Sequence, residues 1–171
     1  MSLPQICFSE GTLICTDAGE VPIESLKEGD MLLTLNGFKP VKWIARRKVD
    51  FQSLTDIDRE LSLPVLIKAS ALGNAIPRQD TIVSACHSVV ANGKLFPAGN
   101  LINGKTICAL GDTRQINYFH LEFNDWELVL ANGLQAESFV DVGNRVHFDN
   151  YTEWRAAQLA GQANLAAGVT A

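Results

Sequence analysis

Cys7 and the stretch Ser84-Ala85-Cys86-His87 hold the residue types that nucleophilic acyl chemistry needs. Ser84, Cys86 and His87 interrupt an apolar run, Val83 to Val90, in which burying polar groups is costly unless they find partners. His87 is one of three histidines, and an imidazole exchanges protons near neutral pH. Cys7 follows Ile6, so its thiol is placed to attack the carbonyl immediately before it and turn an amide into a thioester, an N-to-S acyl shift. An amide nitrogen leaves poorly, so that step needs a proton donor at the nitrogen and support for the oxyanion. His87 is the residue type for the first task, and Ser84 offers a hydroxyl for the second. Taken singly, Cys7 also reads as a buried strand thiol and His87 as a core histidine.

The rest of the chain must bring two positions 80 residues apart to one place. At 171 residues it is long enough for one domain with a real core. A hydrophobic fraction of 47% and a charged fraction of 19% fit a globular protein. The net charge of −5 argues against nucleic acid, and Arg46-Arg47-Lys48, the one basic run, is expected to be a solvated face. No apolar stretch approaches the roughly 20 residues of a membrane-spanning helix. Met1-Ser2-Leu3 reads as a leader ahead of a native start, and no signal peptide opens the chain. The cysteines at 7, 15, 86 and 108 lack metal-site spacing, so no metal is expected. Cys15 and Cys108 are expected to be packing residues, and a Cys7–Cys86 disulfide formed on oxidation would disable the nucleophile.

Four Asn-Gly pairs, at 36–37, 92–93, 103–104 and 132–133, fall between apolar runs and predict hairpins. The chain is therefore expected to be all-β. Residues 48–62 are polar and acidic and read as a surface excursion. Gly19, Pro22, Leu26, Gly29 and Leu32 are echoed by Gly93, Pro97, Leu101, Gly104 and Ile107 with one inserted residue. The echo predicts two similar β-halves related by a pseudo-dyad, with Cys7 ahead of one and His87 ahead of the other. After Phe148 the composition changes. Asn150 with Glu153 predicts a helix cap, and an Ala- and Gln-rich helix follows, closed by Gly168, with a thin apolar face of Tyr151, Trp154 and Leu165. Trp43, Trp126 and Trp154 are expected to fill core or inter-element gaps.

Several motifs occur together in order. They are Cys7 with Gly11-Thr12, Gly19-Glu20-Val21-Pro22-Ile23-Glu24, Leu26-x-x-Gly29-Asp30, Ser84-x-x-His87 and Ala131-Asn132-Gly133. Over residues 5–145 the chain resembles Hint domains, the modules shared by hedgehog C-terminal domains and inteins. Val41-x-Trp43-Ile44, Ala71-Leu72-Gly73 and Ala136-Glu137-Ser138-Phe139 are similar to the bacterial, hedgehog-type modules in particular.

The resemblance implies a Hint-type horseshoe of hairpins over residues 7–148, an upstream stub at 1–6 and a helical appendage at 149–171. It implies Cys7 as nucleophile, and Ser84 and His87 as a Thr-x-x-His-type block whose histidine protonates the scissile nitrogen. His120 stands where inteins often carry an aspartate; it is either a base or proton relay, or a strand residue facing solvent. The departures are Trp126 where related modules often show histidine, Cys86 before His87, and Glu137-Ser138 where inteins end in His-Asn. Asparagine cyclisation is thereby lost, which leaves thioester-mediated cleavage without complete splicing. The implied substrate is a covalently attached upstream polypeptide and the acceptor is water or a small nucleophile. No metal, organic cofactor, nucleic acid or membrane is implied, and a secreted or cell-surface setting is expected by resemblance. Two other readings stand beside this one: a degenerate Hint fold used as a structural or partner-binding module, and a cysteine hydrolase acting in trans.

Overall fold

The computed structural model describes residues 6–168. The leader read into Met1-Ser2-Leu3 lies outside them. The chain is an almost purely antiparallel β-structure. It begins β1 (Phe8–Ser9), β2 (Leu13–Thr16), β3 (Gly19–Pro22), β4 (Met31–Thr34), β5 (Gly37–Pro40) and β6 (Trp43–Asp50). A short helix α1 (Asp56–Ser62) precedes β7 (Pro64–Ile67), β8 (Thr81–Ser84), β9 (Ser88–Ala91), β10 (Lys94–Pro97) and β11 (Ile107–Ala109). Last come β12 (Gln115–Glu122), β13 (Leu128–Ala131), β14 (Leu134–Glu137) and the helix α2 (Tyr151–Gly168).

One sheet runs β11-β7-β8-β1-β12-β6; the other runs β10-β9-β14-β13-β2-β4-β5, with β3 on β2. In β2, β9 and β13 every second residue is buried, the pattern of a strand with one face on a core. The main core joins Phe8, Ile14, Leu32, Val83, Val89, Phe119, Val129 and Leu134 from both sheets. A second cluster gathers Cys7, Trp43, Ala45, Val49, Phe51, Tyr118, Phe139 and Phe148.

The internal echo has a structural counterpart. The hairpin β2–β3 leads through a single 3₁₀ turn (Ile23–Ser25) to β4, and β9–β10 leads through Ala98–Leu101 to β11. Pro22 and Pro97 each end a strand and precede the 3₁₀ turn, where a fixed φ and a missing N–H are tolerated.

The Asn-Gly pairs divide into three cases. At Asn92-Gly93 and Asn132-Gly133 both residues have positive φ, as a two-residue I′ hairpin requires. At 36–37 only Gly37 does. Asn103-Gly104 is not a hairpin: the Asn103 side-chain oxygen accepts from the N–H groups of Lys105, Thr106 and Ile107 and bends the chain into β11.

Three expectations are corrected. The excursion at 48–62 contains α1, capped by Thr55 accepting from the Asp58 N–H, and it buries Phe51. Trp126 is 45% exposed and fills no gap, unlike Trp43 in the core and Trp154 against it. Arg47 is not solvated with its neighbours; it is half-buried between exposed Arg46 and Lys48, because alternate strand residues face opposite ways. The helix α2 spans the expected range and meets the body through Tyr151 and Trp154, with Trp154 ringed to Trp43 at 6.1 Å. Leu165 lies outside the described side chains.

Candidate active site

Cys7 immediately precedes β1, a two-residue strand held between β8 and β12. The pairings Phe8 with Val83 and Phe8 with Phe119, carried one residue outward, set Cys7 between Ser84 and His120. Hydrogen bonds fix the first of these neighbours. The Cys7 N–H, the nitrogen of the Ile6–Cys7 peptide, donates to Ser84 Oγ at 2.9 Å. The Ser84 N–H returns a bond to the Cys7 carbonyl, also at 2.9 Å. A turn follows, closed by the His87 N–H on the Ser84 carbonyl at 3.0 Å. It swings His87 inward instead of continuing the strand.

His87 is fully buried. Its ring lies 4.3 Å from Phe8 and 5.0 Å from His120, centroid to centroid, and Phe139 closes on His120 at 5.6 Å. His87 Nε2 sits 3.0 Å from the Glu137 carbonyl. A carbonyl only accepts, so Nε2 carries the proton and Nδ1 keeps its lone pair. Nδ1 has no hydrogen-bond partner among the described residues, although the ring feels the Cys7 backbone electrostatically. Burial holds His87 below the ordinary histidine value, opposed by the Cys7 backbone and by the Glu137 carbonyl and carboxylate. Burial, then the neighbouring His87, push His120 well below it too. Both rings are therefore neutral at pH 7. The solvent-facing alternative for His120 is excluded, since it is 1% exposed.

Burial raises the Cys7 thiol far above its ordinary range, with Arg47 pulling in the other direction. The sulfur is thus a protonated thiol at rest. Among the described residues no two cysteines form a disulfide; Cys7 is buried, and Cys15, Cys86 and Cys108 are half-buried. No group of three or more metal-ligating side chains gathers among the described residues.

Three residues around the site make contacts that the sequence reading did not assign them. Glu137 touches His87 through its carbonyl and caps the Ser88 N–H through its carboxylate at 2.8 Å. Asn132 binds three segments: its side chain accepts from Leu13 N–H and Gln79 Nε2 and donates to Thr81 Oγ1. That places β8, and hence Ser84, against the first half of the fold. Arg145 is gripped by Glu122, with one contact at 2.9 Å, and its guanidinium lies 4.6, 4.9 and 4.2 Å from the rings of Trp43, Phe139 and Trp154. Asn132 was visible as half of a turn motif and Glu137 as part of a motif that departs from the intein ending, neither with these contacts; Arg145 carried no local signal.

The family model described as Hint domain matches residues 6–143, from the residue before Cys7 to just beyond the segment that meets His87. The chain belongs to the Hint domain family. Solved structures share its fold. A DnaB intein from Synechocystis sp. PCC 6803 is 14% identical, with 78% of this chain and 99% of that one covered and a TM-score of 0.56. The gp41-1 intein is 15% identical, with 76% and 96% covered and a TM-score of 0.51. A bacterial intein-like domain from Clostridium thermocellum is 17% identical, with 79% and 99% covered and a TM-score of 0.51. At these identities the likeness is one of fold. Comparison with curated proteins finds no significant match. In this Hint domain, Cys7, Ser84, His87 and His120 come from three segments and meet in one buried place.

Proposed function

We propose that this Hint domain is an autoprocessing module that performs an N-to-S acyl shift at Ile6–Cys7 and releases the upstream polypeptide through a thioester, without complete splicing. The observation that carries the reading is the Cys7 amide N–H on Ser84 Oγ beside a neutral imidazole whose Nδ1 is free to take a proton. His87 Nδ1 accepts the thiol proton as sulfur attacks the Ile6 carbonyl. It then delivers that proton to the Cys7 nitrogen as the C–N bond breaks and the C–S bond remains. Ser84 holds the amide hydrogen out of the path and so fixes the face from which the nitrogen is protonated. His120 serves as a second neutral imidazole that polarises the first. Water or a small nucleophile then cleaves the thioester, leaving a free amine on Cys7.

Support for cleavage without splicing comes from the downstream segment. Ser138, where inteins end in asparagine, has no carboxamide nitrogen with which to cyclise, and Glu137 stands in the place of the preceding histidine. The Ser138 N–H donates to the Glu127 carbonyl, its Oγ accepts from the Glu127 N–H, and the Phe139 N–H donates to the Leu121 carbonyl. Within the family, the motifs around Trp43, Gly73 and Glu137 support kinship with the bacterial, hedgehog-type branch.

The test is a folded protein fused upstream of Cys7 and incubated with a thiol or hydroxylamine. Mass spectrometry is expected to find the upstream product ending at Ile6, and Cys7→Ala is expected to abolish it. A wild-type fusion that stays intact would favour the second reading, a degenerate scaffold, for which the sealed and protonated thiol speaks. Turnover on free esters would favour the hydrolase, against which stands the full burial of both Cys7 and His87.

A further inference from the structure

On the face of the first sheet that carries Cys7, the strand register sets out rows of side chains. Ser9, Tyr118 and Arg47 are aligned across β1, β12 and β6; the row two residues on holds Cys7, His120 and Ala45. The next row holds Glu122 and Trp43. Ala45 has a single methyl opposite His120, which leaves room on that face for the long side chain of Arg47 one row away. Arg47 turns inward, and its Nη1 is buried with no hydrogen-bond partner among the described residues. An orphaned guanidinium N–H in a dry setting is costly unless it meets an acceptor at some stage of function.

We propose that Arg47 is that stage's cation: its Nη1–H groups face the negative charge that develops on Cys7 Sγ and, after attack, on the Ile6 carbonyl oxygen. The inference rests on the acyl-shift reading and adds to it the group that makes a buried thiol usable. The other titratable side chains packed around the sulfur do not supply positive charge at neutral pH. Tyr118 is held protonated by burial, donating its hydroxyl to the Ser62 carbonyl; His87 and His120 are held neutral; Glu137 and Glu122 are acidic, the latter gripped by Arg145. Arg47 is the cation whose field reaches Cys7 and favours its ionised form. In a water-poor site such a preorganised charge acts far more strongly than at the surface.

Two measurements on Arg47→Gln and Arg47→Lys test this. The first is the upstream-fusion cleavage rate. The second is the rate at which iodoacetamide alkylates Cys7 in the unfused folded chain at fixed pH between about 7 and 8.5, read by mass against a Cys7→Ser background. Arg47→Gln is expected to slow cleavage by about tenfold or more and alkylation by about tenfold, because loss of the cation lowers the thiolate fraction. Arg47→Lys, which keeps the charge but not the planar fork, is expected to recover part of both. Alkylation as fast in Arg47→Gln as in wild type overturns the proposal whatever happens to cleavage, because a purely structural role lowers cleavage without moving the thiol. If wild type fails to cleave yet Arg47→Gln is still alkylated more slowly, the acyl-shift reading fails and the charge assignment stands. Should Arg47→Gln not fold, Arg47→Met, neutral with an apolar stem, takes its place with the same two outcomes.

Discussion

Two stretches of backbone meet the same imidazole from opposite sides. Upstream, the Ile6–Cys7 amide places its N–H on a side-chain oxygen, Ser84 Oγ, and the Cys7 backbone reaches His87, whose Nδ1 has no hydrogen-bond partner among the described residues. Downstream, the Glu137 carbonyl takes the proton of Nε2, its carboxylate takes the Ser88 N–H, and residues 138–139 are bonded to Glu127 and Leu121. On the proposed reading the first peptide adjoins a base and a nucleophile; the second is knitted into the sheet and anchors the imidazole. On that reading one ring has a working nitrogen and a holding nitrogen, and the asymmetry would decide which junction the site acts on.

The sharpest way to break that contrast is to remove the working nitrogen and keep the holding one. Gln has an amide NH₂ able to reach a carbonyl acceptor, but no basic lone pair. His87→Gln is therefore expected to fold and to cleave the upstream fusion about 10²–10⁴-fold more slowly, the usual share of a positioned general acid–base. Near-wild-type cleavage would put the proton transfer elsewhere, His120 first. Ser84→Ala tests the other support of the upstream peptide. It leaves the Cys7 N–H without its acceptor and is expected to cost about tenfold in rate, from about 1–2 kcal/mol of lost hydrogen bonding. Ser84→Thr, with its hydroxyl retained, is expected to cleave within a few-fold of wild type.

The same burial that keeps both histidines neutral makes stability depend on pH. Their folded values lie below the ordinary 6.5, so the unfolded chain binds more protons once the pH drops below that value. Stability from these two groups is complete above about pH 6.5 and falls as the medium is acidified. Cys7 works in the opposite sense: its folded value lies above the ordinary 9.0, so stability falls as pH rises past about 9. Urea unfolding across that range is expected to show a plateau between the two limits. In His120→Gln the acid limb is expected to be shallower; a limb as steep as wild type would mean that His120 is not held neutral by the fold.

Much of this was legible in the chain. Asn92-Gly93 and Asn132-Gly133 announce hairpins because few residues other than Asn and Gly accept positive φ at both central positions. The proline–glycine echo marks the two hairpin–3₁₀–strand units for the same local reason. Ser84-x-x-His87 and Cys7 were visible as types at a spacing. What escaped depended on direction and distance. Whether Arg47 turns in while Arg46 and Lys48 turn out is set by the register of β6 on β12, and three adjacent basic residues carry no trace of it. Trp126 looks like core by type, yet it sits just ahead of β13, where no second layer covers it. Asn103-Gly104 has hairpin chemistry but spends the asparagine oxygen on three local N–H groups.

The smallest expected effect probes the downstream side. Ser138→Asn restores a carboxamide where inteins end in asparagine, so side-chain chemistry alone would then permit cyclisation at the 138–139 peptide. The geometry argues that it stays intact. For the Asn nitrogen to reach its own carbonyl carbon, that peptide must rotate, which breaks the Phe139 N–H bond to the Leu121 carbonyl. Both residues are buried, and the lost bond leaves polar groups unpaired at about 1–3 kcal/mol. The variant is therefore expected to show no fragment beginning at Phe139 by intact-mass analysis and unchanged upstream cleavage. Loss of the Ser138 Oγ that accepts from the Glu127 N–H is expected to lower its stability by only about 1 kcal/mol. Release of that fragment would show that the missing side chain, and not the knitted backbone, is what silences the downstream junction.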